Sequence, residues 1–358
     1  MKKIMFAIGG LANGGAERVV TSIASALSER NYEVSILTYY NEENEYPYSS
    51  KINRINISNG SKKDFNNMSI IKKLKNIRRT IKEVNPDEIF CFLSHPSVFV
   101  FLSTLFTKYN TKISFAIRAN PRAEKGKISK MHMIFSNKVK RIITQNEGQT
   151  TCFSPKLQNK MVVIPNPMYE ELFENGKEYS SSVNKIVSVG RLTEQKNYEL
   201  AINEFEIIHN KYPNINYYIY GAGPLEESLK NLIKLKNLDN NIHIMGFEKD
   251  RNKIYGDKDI YLMTSKFEGM PNALAESMAA GIPSISTDCE FGPSDLINNE
   301  SMGILVKEHT EEAVIEALTK MIENYNEYAS KSNYVKEIMK EKYSLDNIIQ
   351  EWIKVIEN

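Results

Sequence analysis

The stretch Ile260-Tyr261-Leu262-Met263-Thr264-Ser265-Lys266-Phe267-Glu268-Gly269-Met270-Pro271-Asn272-Ala273-Leu274-Ala275-Glu276 passes from a short apolar run, through a loop, into a segment of helical period. Ile260–Met263 is uninterrupted and apolar, as strands buried on both faces of a parallel sheet are. Pro271 and Asn272 open the helix Asn272–Ala280 and leave its first backbone N–H groups free to meet an anion.

The same strand–loop–helix unit recurs in both directions. Upstream, the strands read Ile4–Ile8, Glu33–Thr38, Ile52–Ile57, Glu88–Leu93, Lys112–Ala116, Arg141–Thr144 and Met161–Ile164. Pro165-Asn166-Pro167 stops regular structure, and a second series begins with Lys185–Val189 and runs to Gly303–Val306. Helices such as Ala16–Glu29, Ser69–Val84, Asn197–Asn210 and Thr310–Asn324 fill the gaps, the pattern of parallel βαβ units. The expected fold is α/β: two Rossmann-like, doubly wound parallel-sheet domains facing across a cleft. Their bounds are 1–168 and 185–335, joined by a linker at 169–184. A helical tail at 336–358, carrying Trp352, could pack back on the first domain.

At 358 residues, 41% of them hydrophobic, each half can bury its own core. Cys91, Cys152 and Cys289 form no C-x-x-C pair and read as buried thiols of a reducing compartment. The N-terminus has no apolar run of signal-peptide length. Ile89–Thr107 lacks Lys, Arg, Asp and Glu, but Ser94-His95-Pro96-Ser97 interrupts it, so strand, loop and helix are expected there and not a membrane span. The net charge of +2 hides a basic first half, with 26 Lys and Arg against 13 Asp and Glu up to residue 170, and an acidic remainder. The basic half suits phosphates or anionic lipid. No stacking motif or zinc spacing points to nucleic acid.

Three loops carry chemistry. Gly9 to Arg18, directly after the first strand, is glycine-rich and can bring backbone N–H groups against an anion. It lacks G-x-G-x-x-G, so it is no dinucleotide fingerprint, and a plain strand-to-helix turn is the alternative. Gly190-Arg191-Leu192 with Lys196 puts two cations past a strand, suited to a diphosphate; an exposed basic pair is the plain alternative. Glu268, before its helix, and Glu276, inside it, are spread along one ligand instead of sharing a proton, so one can accept from a sugar and the other from a ribose. The plain alternative is that Glu268 complements the helix dipole and Glu276 is solvated.

Together these segments resemble glycosyltransferase family 4, the retaining GT-B enzymes, through Gly14-Gly15-Ala16-Glu17, Gly190-Arg191-Leu192 with Lys196, Gly221-Ala222-Gly223-Pro224, and Glu268 and Glu276 in E-x7-E spacing. The resemblance implies a UDP-sugar as co-substrate and no metal or other cofactor. It implies Arg191, Lys196 and Glu268 as catalytic residues, the cations on the diphosphate and Glu268 on the donor sugar. Glu276 would hold the ribose, with Gly14, Gly15, Gly223, Gly269, Met270, Pro271 and the amides of Asn272, Ala273 and Leu274 completing the donor site.

The sequence departs from the family at Arg118, which stands where many members place a histidine and is a candidate for acceptor or phosphate contact. His95 is the nearest alternative and reads as a loop histidine; His209, His243 and His309 read as structural. Asp257-Lys258-Asp259 matches D-x-D but precedes a strand, so no metal site is expected. From Ser61 to Lys82 an apolar stripe, Ile70, Ile71, Leu74, Ile77 and Ile81, runs among Lys72, Lys73, Lys75, Arg78 and Arg79. The stripe alone means packing on a sheet; with the cations it suits anionic lipid or a lipid-pyrophosphate. The expected activity is transfer of a hexose or N-acetylhexosamine to a lipid-linked oligosaccharide in surface glycan assembly, by an enzyme peripheral on the inner face of the cell membrane. The alternatives are a nucleotide-sugar epimerase or a non-catalytic nucleotide-sugar binding protein.

Overall fold

The computed structural model describes residues 1–12, 14–174 and 179–358. The chain divides into two compact units, Met1–Pro167 with Leu345–Asn358, and Met168–Ser344.

The first unit holds seven strands: β1 (Lys3–Ile8), β2 (Glu33–Thr38), β3 (Asn53–Asn56), β4 (Glu88–Phe92), β5 (Ile113–Ala116), β6 (Arg141–Thr144) and β7 (Met161–Val163). They pair in parallel in the order β3-β2-β1-β4-β5-β6-β7. The second unit holds β8 (Lys185–Val189), β9 (Asn216–Tyr220), β10 (Ile242–Gly246), β11 (Ile260–Met263), β12 (Ser284–Thr287) and β13 (Ile304–Val306), parallel in the order β10-β9-β8-β11-β12-β13. Runs such as KIMFAI and IYLM are buried almost end to end because helices cover both faces.

This topology decides where a ligand can sit. In each unit the chain winds outward from a first strand, then returns to that strand's other side, so the order reverses between β1 and β4 and between β8 and β11. Ligands of doubly wound sheets bind outside the carboxyl ends of the strands at that reversal. The loops that flank it in the second unit are Gly190–Asn197 and Thr264–Pro271.

Two expected boundaries shift. The tail is not one segment from 336: a helix spans Tyr325–Tyr343, Ser344 turns extended with φ −60° and ψ 148°, and a separate helix runs Leu345–Glu357. The helical period continues through Ser344, so periodicity alone could not mark the break. Leu345–Asn358 belongs to the first unit, where Trp352 is fully buried and its ring lies 5.1 Å from Phe90, edge-on, and 5.9 Å from Phe92, stacked. The expected linker 169–184 is not free chain either. Leu172 and Phe173, on the short helix Glu171–Glu174, are buried in the second unit's core, and residues 175–178 lie outside the described residues.

Among the described residues no helix is long and apolar enough to cross a membrane. Ile89–Thr107 folds as β4 and the helix Ser94–Thr104.

Candidate active site

In the second unit, the loop after β8 carries Arg191 and Lys196, and the loop after β11 carries Glu268. Because β8 and β11 are neighbours, both loops leave the sheet side by side. Backbone contacts fix them. Thr264 Oγ1 donates to the carbonyls of Lys196 and Asn197, each at 3.1 Å, and the Lys266 N–H donates to the Gln195 carbonyl at 2.8 Å. The Lys196 ammonium then lies 2.6 Å from a Glu268 carboxylate oxygen, and Gln195 Nε2 donates to the other oxygen at 3.3 Å. Glu268 is buried, whereas Arg191 is exposed and its guanidinium pairs with no carboxylate among the described residues. The result is a fixed cation–carboxylate pair beside an open cation at the strand ends.

Two of the glycines of the resemblance act here as spacers. A Cβ on Gly190 would stand 2.7 Å from Lys196 Cε, so any other residue there would push the lysine stem off its present path across the loop. A Cβ on Gly223 would stand 2.4 Å from the Leu192 carbonyl oxygen, so Gly223 lets the β9 loop lie against the β8 loop.

The helix Asn272–Ala279 opens at Pro271, as expected. Its amides are not equivalent, however. The Asn272 N–H already donates to the Met270 carbonyl at 2.9 Å, which leaves the Ala273 and Leu274 amides without a backbone acceptor outside the helix among the described residues. Met270 packs its side chain into the core and Gly269 is buried beside it, so these two shape the loop through the backbone. Glu276 is buried, not solvated: its Oε2 accepts from the Tyr255 hydroxyl at 3.1 Å and lies 3.7 Å from Arg251 Nε. Neither Arg251 nor Tyr255 was legible as a site residue; only the spacing R-x3-Y behind the capping Asp250 hinted that they share a face.

The chain matches two family models, Glycosyltransferase Family 4 over residues 13–171 and Glycosyl transferases group 1 over residues 170–338. The chain belongs to glycosyltransferase family 4. It is 28% identical to an uncharacterized glycosyltransferase of Haemophilus influenzae, over 98% of this chain and 99% of that one. It is 24% identical, over 99% and 98%, to a Campylobacter jejuni alpha-1,4-N-acetyl-D-galactosaminyltransferase named for a PP-undecaprenol-linked saccharide. The fold superposes on a mutant of Staphylococcus aureus TarM, solved with UDP, with TM-score 0.82 and 15% identity over the whole of both chains. The GT-B architecture of this family-4 glycosyltransferase is therefore shared with that structure.

In the glycosyltransferase's first unit the glycine loop after β1 is occupied differently from the expectation. Gly14 caps the helix Gly15–Ser28 with its backbone alone, and Asn13 lies outside the described residues. The Ala12 N–H donates to the Glu42 carboxylate at 3.2 Å, and Glu17 folds back over Gly14. Burial, with the charge of Glu42 nearby, pushes the Glu17 carboxyl up to about 7. Carboxylates therefore sit on this loop, and the amide of Ala12 is spent on one of them.

Arg118 follows β5. Its Nη1 donates to the Ile164 carbonyl at 3.1 Å and to Asn166 Oδ1 at 2.9 Å, and the guanidinium stacks on Phe92 and Trp352 at 5.1 and 5.8 Å. Its Nε and Nη2 make no hydrogen bond, and burial pushes the group down to about 9. It lines a small cavity with Ser94, Glu124 and His132, where Ser94 Oγ meets both Glu124 and His132 Nδ1. His95 is not a loop residue. It lies in the first turn of Ser94–Thr104, stacked 4.5 Å from Phe99.

The basic segment is also sorted by the fold. In the helix Ile70–Val84, Ile77 and Ile81 are buried, while Ile70 and Ile71 are 63% and 74% exposed. Lys72, Lys75, Arg78 and Arg79 are exposed, but Lys73 is not a surface cation: it is 9% exposed, and its ammonium sits 4.5 Å from the Phe65 ring centroid. A lysine stem packs on apolar surface as well as any alkyl chain, so spacing could not sort it. Asp259 of the D-x-D match accepts the Asn184 and Lys185 backbone N–H groups at 2.8 and 2.9 Å, and Asp257 pairs with Lys185.

Proposed function

We propose that this glycosyltransferase moves a hexose or N-acetylhexosamine from a UDP-sugar to a lipid-linked acceptor in surface glycan assembly, with retention of anomeric configuration. The observation that carries it is the Lys196–Glu268 pair beside exposed Arg191 at the β8–β11 reversal. Arg191 and Lys196 take the diphosphate, joined by the Ala273 and Leu274 amides, and Glu268 accepts from the sugar's hydroxyls. Glu276 holds the ribose. Negative charge grows on the leaving phosphate as the glycosidic bond breaks, so fixed cations stabilise the transition state more than the ground state. In front-face attack the departing phosphate oxygen takes the acceptor's proton, and no protein base or metal enters the step.

The acceptor class is supported by the Campylobacter jejuni relative named for an undecaprenol-linked substrate. Exposed Ile70 and Ile71, followed by Lys72 and preceded by Lys62 and Lys63, support peripheral docking on the anionic inner face of the cell membrane. Arg118 remains the candidate for an acceptor phosphate, through the Nε and Nη2 atoms that its own unit does not use.

The test is to incubate the protein with several UDP-sugars and a short-chain diphospholipid-linked saccharide, following UDP release and the anomeric configuration of the product by NMR. UDP release with a retained linkage is the expected result. An inverted linkage overturns the retaining step; a changed sugar without UDP release makes the protein an epimerase; neither product nor UDP makes it a binder.

A further inference from the structure

Glu276 has a dedicated support that the E-x7-E pattern does not contain. Arg251 and Tyr255 are the two ends of the five-residue helix Arg251–Tyr255, four residues apart and so on one face. Asp250 caps that helix, accepting from the Asn252 N–H at 2.9 Å and the Lys253 N–H at 3.4 Å. Both side chains converge on one oxygen, Glu276 Oε2: the Tyr255 hydroxyl at 3.1 Å, the Arg251 Nε at 3.7 Å. Arg251 is itself fixed from behind, where Nη2 meets the Tyr169 hydroxyl at 3.1 Å and the guanidinium stacks 4.7 Å from the Tyr169 ring centroid.

All three converging groups are buried, Arg251 8%, Tyr255 1% and Glu276 5% exposed. Burial, with Glu276 beside it, holds the Tyr255 phenol well above the ordinary phenol range, so it is a permanent donor. A buried carboxylate needs a cation and hydrogen bonds to be tolerated, and these also remove its freedom to rotate. A carboxylate of fixed plane can accept from two vicinal hydroxyls together, whereas a rotating one first loses entropy to do so.

We infer that Arg251 and Tyr255 are positioning residues that lock Glu276 for a ribose diol, and that they set a preference for ribonucleotide over 2′-deoxyribonucleotide donors. Glu276 receiving the ribose is the assignment proposed above, and the role of Arg251 and Tyr255 rests on it.

Isothermal titration of the full chain with UDP, 2′-deoxy-UDP and inorganic pyrophosphate tests it. The wild type should bind UDP about tenfold more tightly than 2′-deoxy-UDP. Arg251→Ala and Tyr255→Phe should each remove most of that ratio by weakening UDP, leave pyrophosphate within about twofold, and add nothing in a Glu276→Gln background. Arg251→Lys should restore part of the ratio. Tyr255→Phe keeps the test open if Arg251→Ala does not fold. An unchanged ratio in a folded variant, equal loss of UDP and pyrophosphate, or additivity with Glu276→Gln overturns the inference while the donor site stands. A wild type that binds pyrophosphate but neither nucleotide overturns the ribose assignment, and the inference with it.

Discussion

The Lys196 ammonium lies 2.6 Å from the Glu268 carboxylate, so the cation assigned to the diphosphate and the carboxylate assigned to the sugar are held by each other. Removing either partner also releases the other. Lys196→Ala and Glu268→Ala should each lower kcat/KM by on the order of 10²–10³, as loss of one preorganised transition-state contact does. The two differ in binding: Lys196→Ala weakens UDP itself, whereas Glu268→Ala keeps UDP and loses the preference for UDP-sugar over UDP. Full activity in both variants, checked by steady-state UDP release with circular dichroism as the folding control, removes the proposed site.

Glu204 makes a pH-dependent cost to stability. It is fully buried on the helix Tyr198–Lys211, both carboxyl oxygens lack a hydrogen bond, and burial, with Glu311 nearby, raises it to about 9. A folded value above the unfolded one means the folded state holds the proton longer. The contribution is therefore fully favourable below about pH 4.5 and is lost as pH rises toward 9. Glu204→Met should be more stable than wild type at neutral pH, with the gap widening by about 1.4 kcal/mol per pH unit between 5 and 9. Guanidinium unfolding at a series of pH values measures it; a gap independent of pH contradicts the prediction.

The exposed isoleucines give the membrane proposal a variant that leaves the donor site untouched. Vesicles with anionic lipid should carry the protein upward in a flotation gradient, and neutral vesicles should not. Ile70→Ser with Ile71→Ser should reduce the floated fraction severalfold, as should reversal of Lys72 and Lys75 to Glu, with UDP affinity unchanged. Equal flotation by all variants moves the contact elsewhere, and none in the wild type ends it.

Trp352→Ala should destabilise the first unit by about 3–5 kcal/mol, the range for emptying a buried aromatic site. Chemical denaturation followed by circular dichroism reads it; a loss under about 1 kcal/mol would mean that the ring's neighbours collapse into the gap.

What was legible in the sequence was whatever is encoded locally. Glu33–Thr38, Lys185–Val189 and Ile260–Met263 are dense apolar runs with clear ends, and their bounds agree with the folded strands. The Glu268 loop could be placed because a strand end and a proline bracket it. Residues whose meaning arises only when distant segments meet stayed hidden. Arg251 and Tyr255 belong to a helix too short for periodicity, and nothing near them names Glu276. Glu42 meets the Ala12 amide from the loop after β2, a contact between loops thirty residues apart that no local pattern marks. Lys73 and the exposed Lys72 and Lys75 are one residue type in one run; contact with Phe65 sets Lys73 apart.

Trp352 and the helix around it complete a core that begins at Ile4, with the entire second unit encoded between them. During synthesis, the first sheet must leave the ribosome with the surface around Phe6, Phe90 and Phe92 uncovered, and it stays so until Leu345–Asn358 follows. The order of manufacture therefore runs against the order of domains: Met168–Ser344 has every strand of its own sheet before Met1–Pro167 can close. A chain cut short after Ser344 would leave that aromatic surface exposed to solvent.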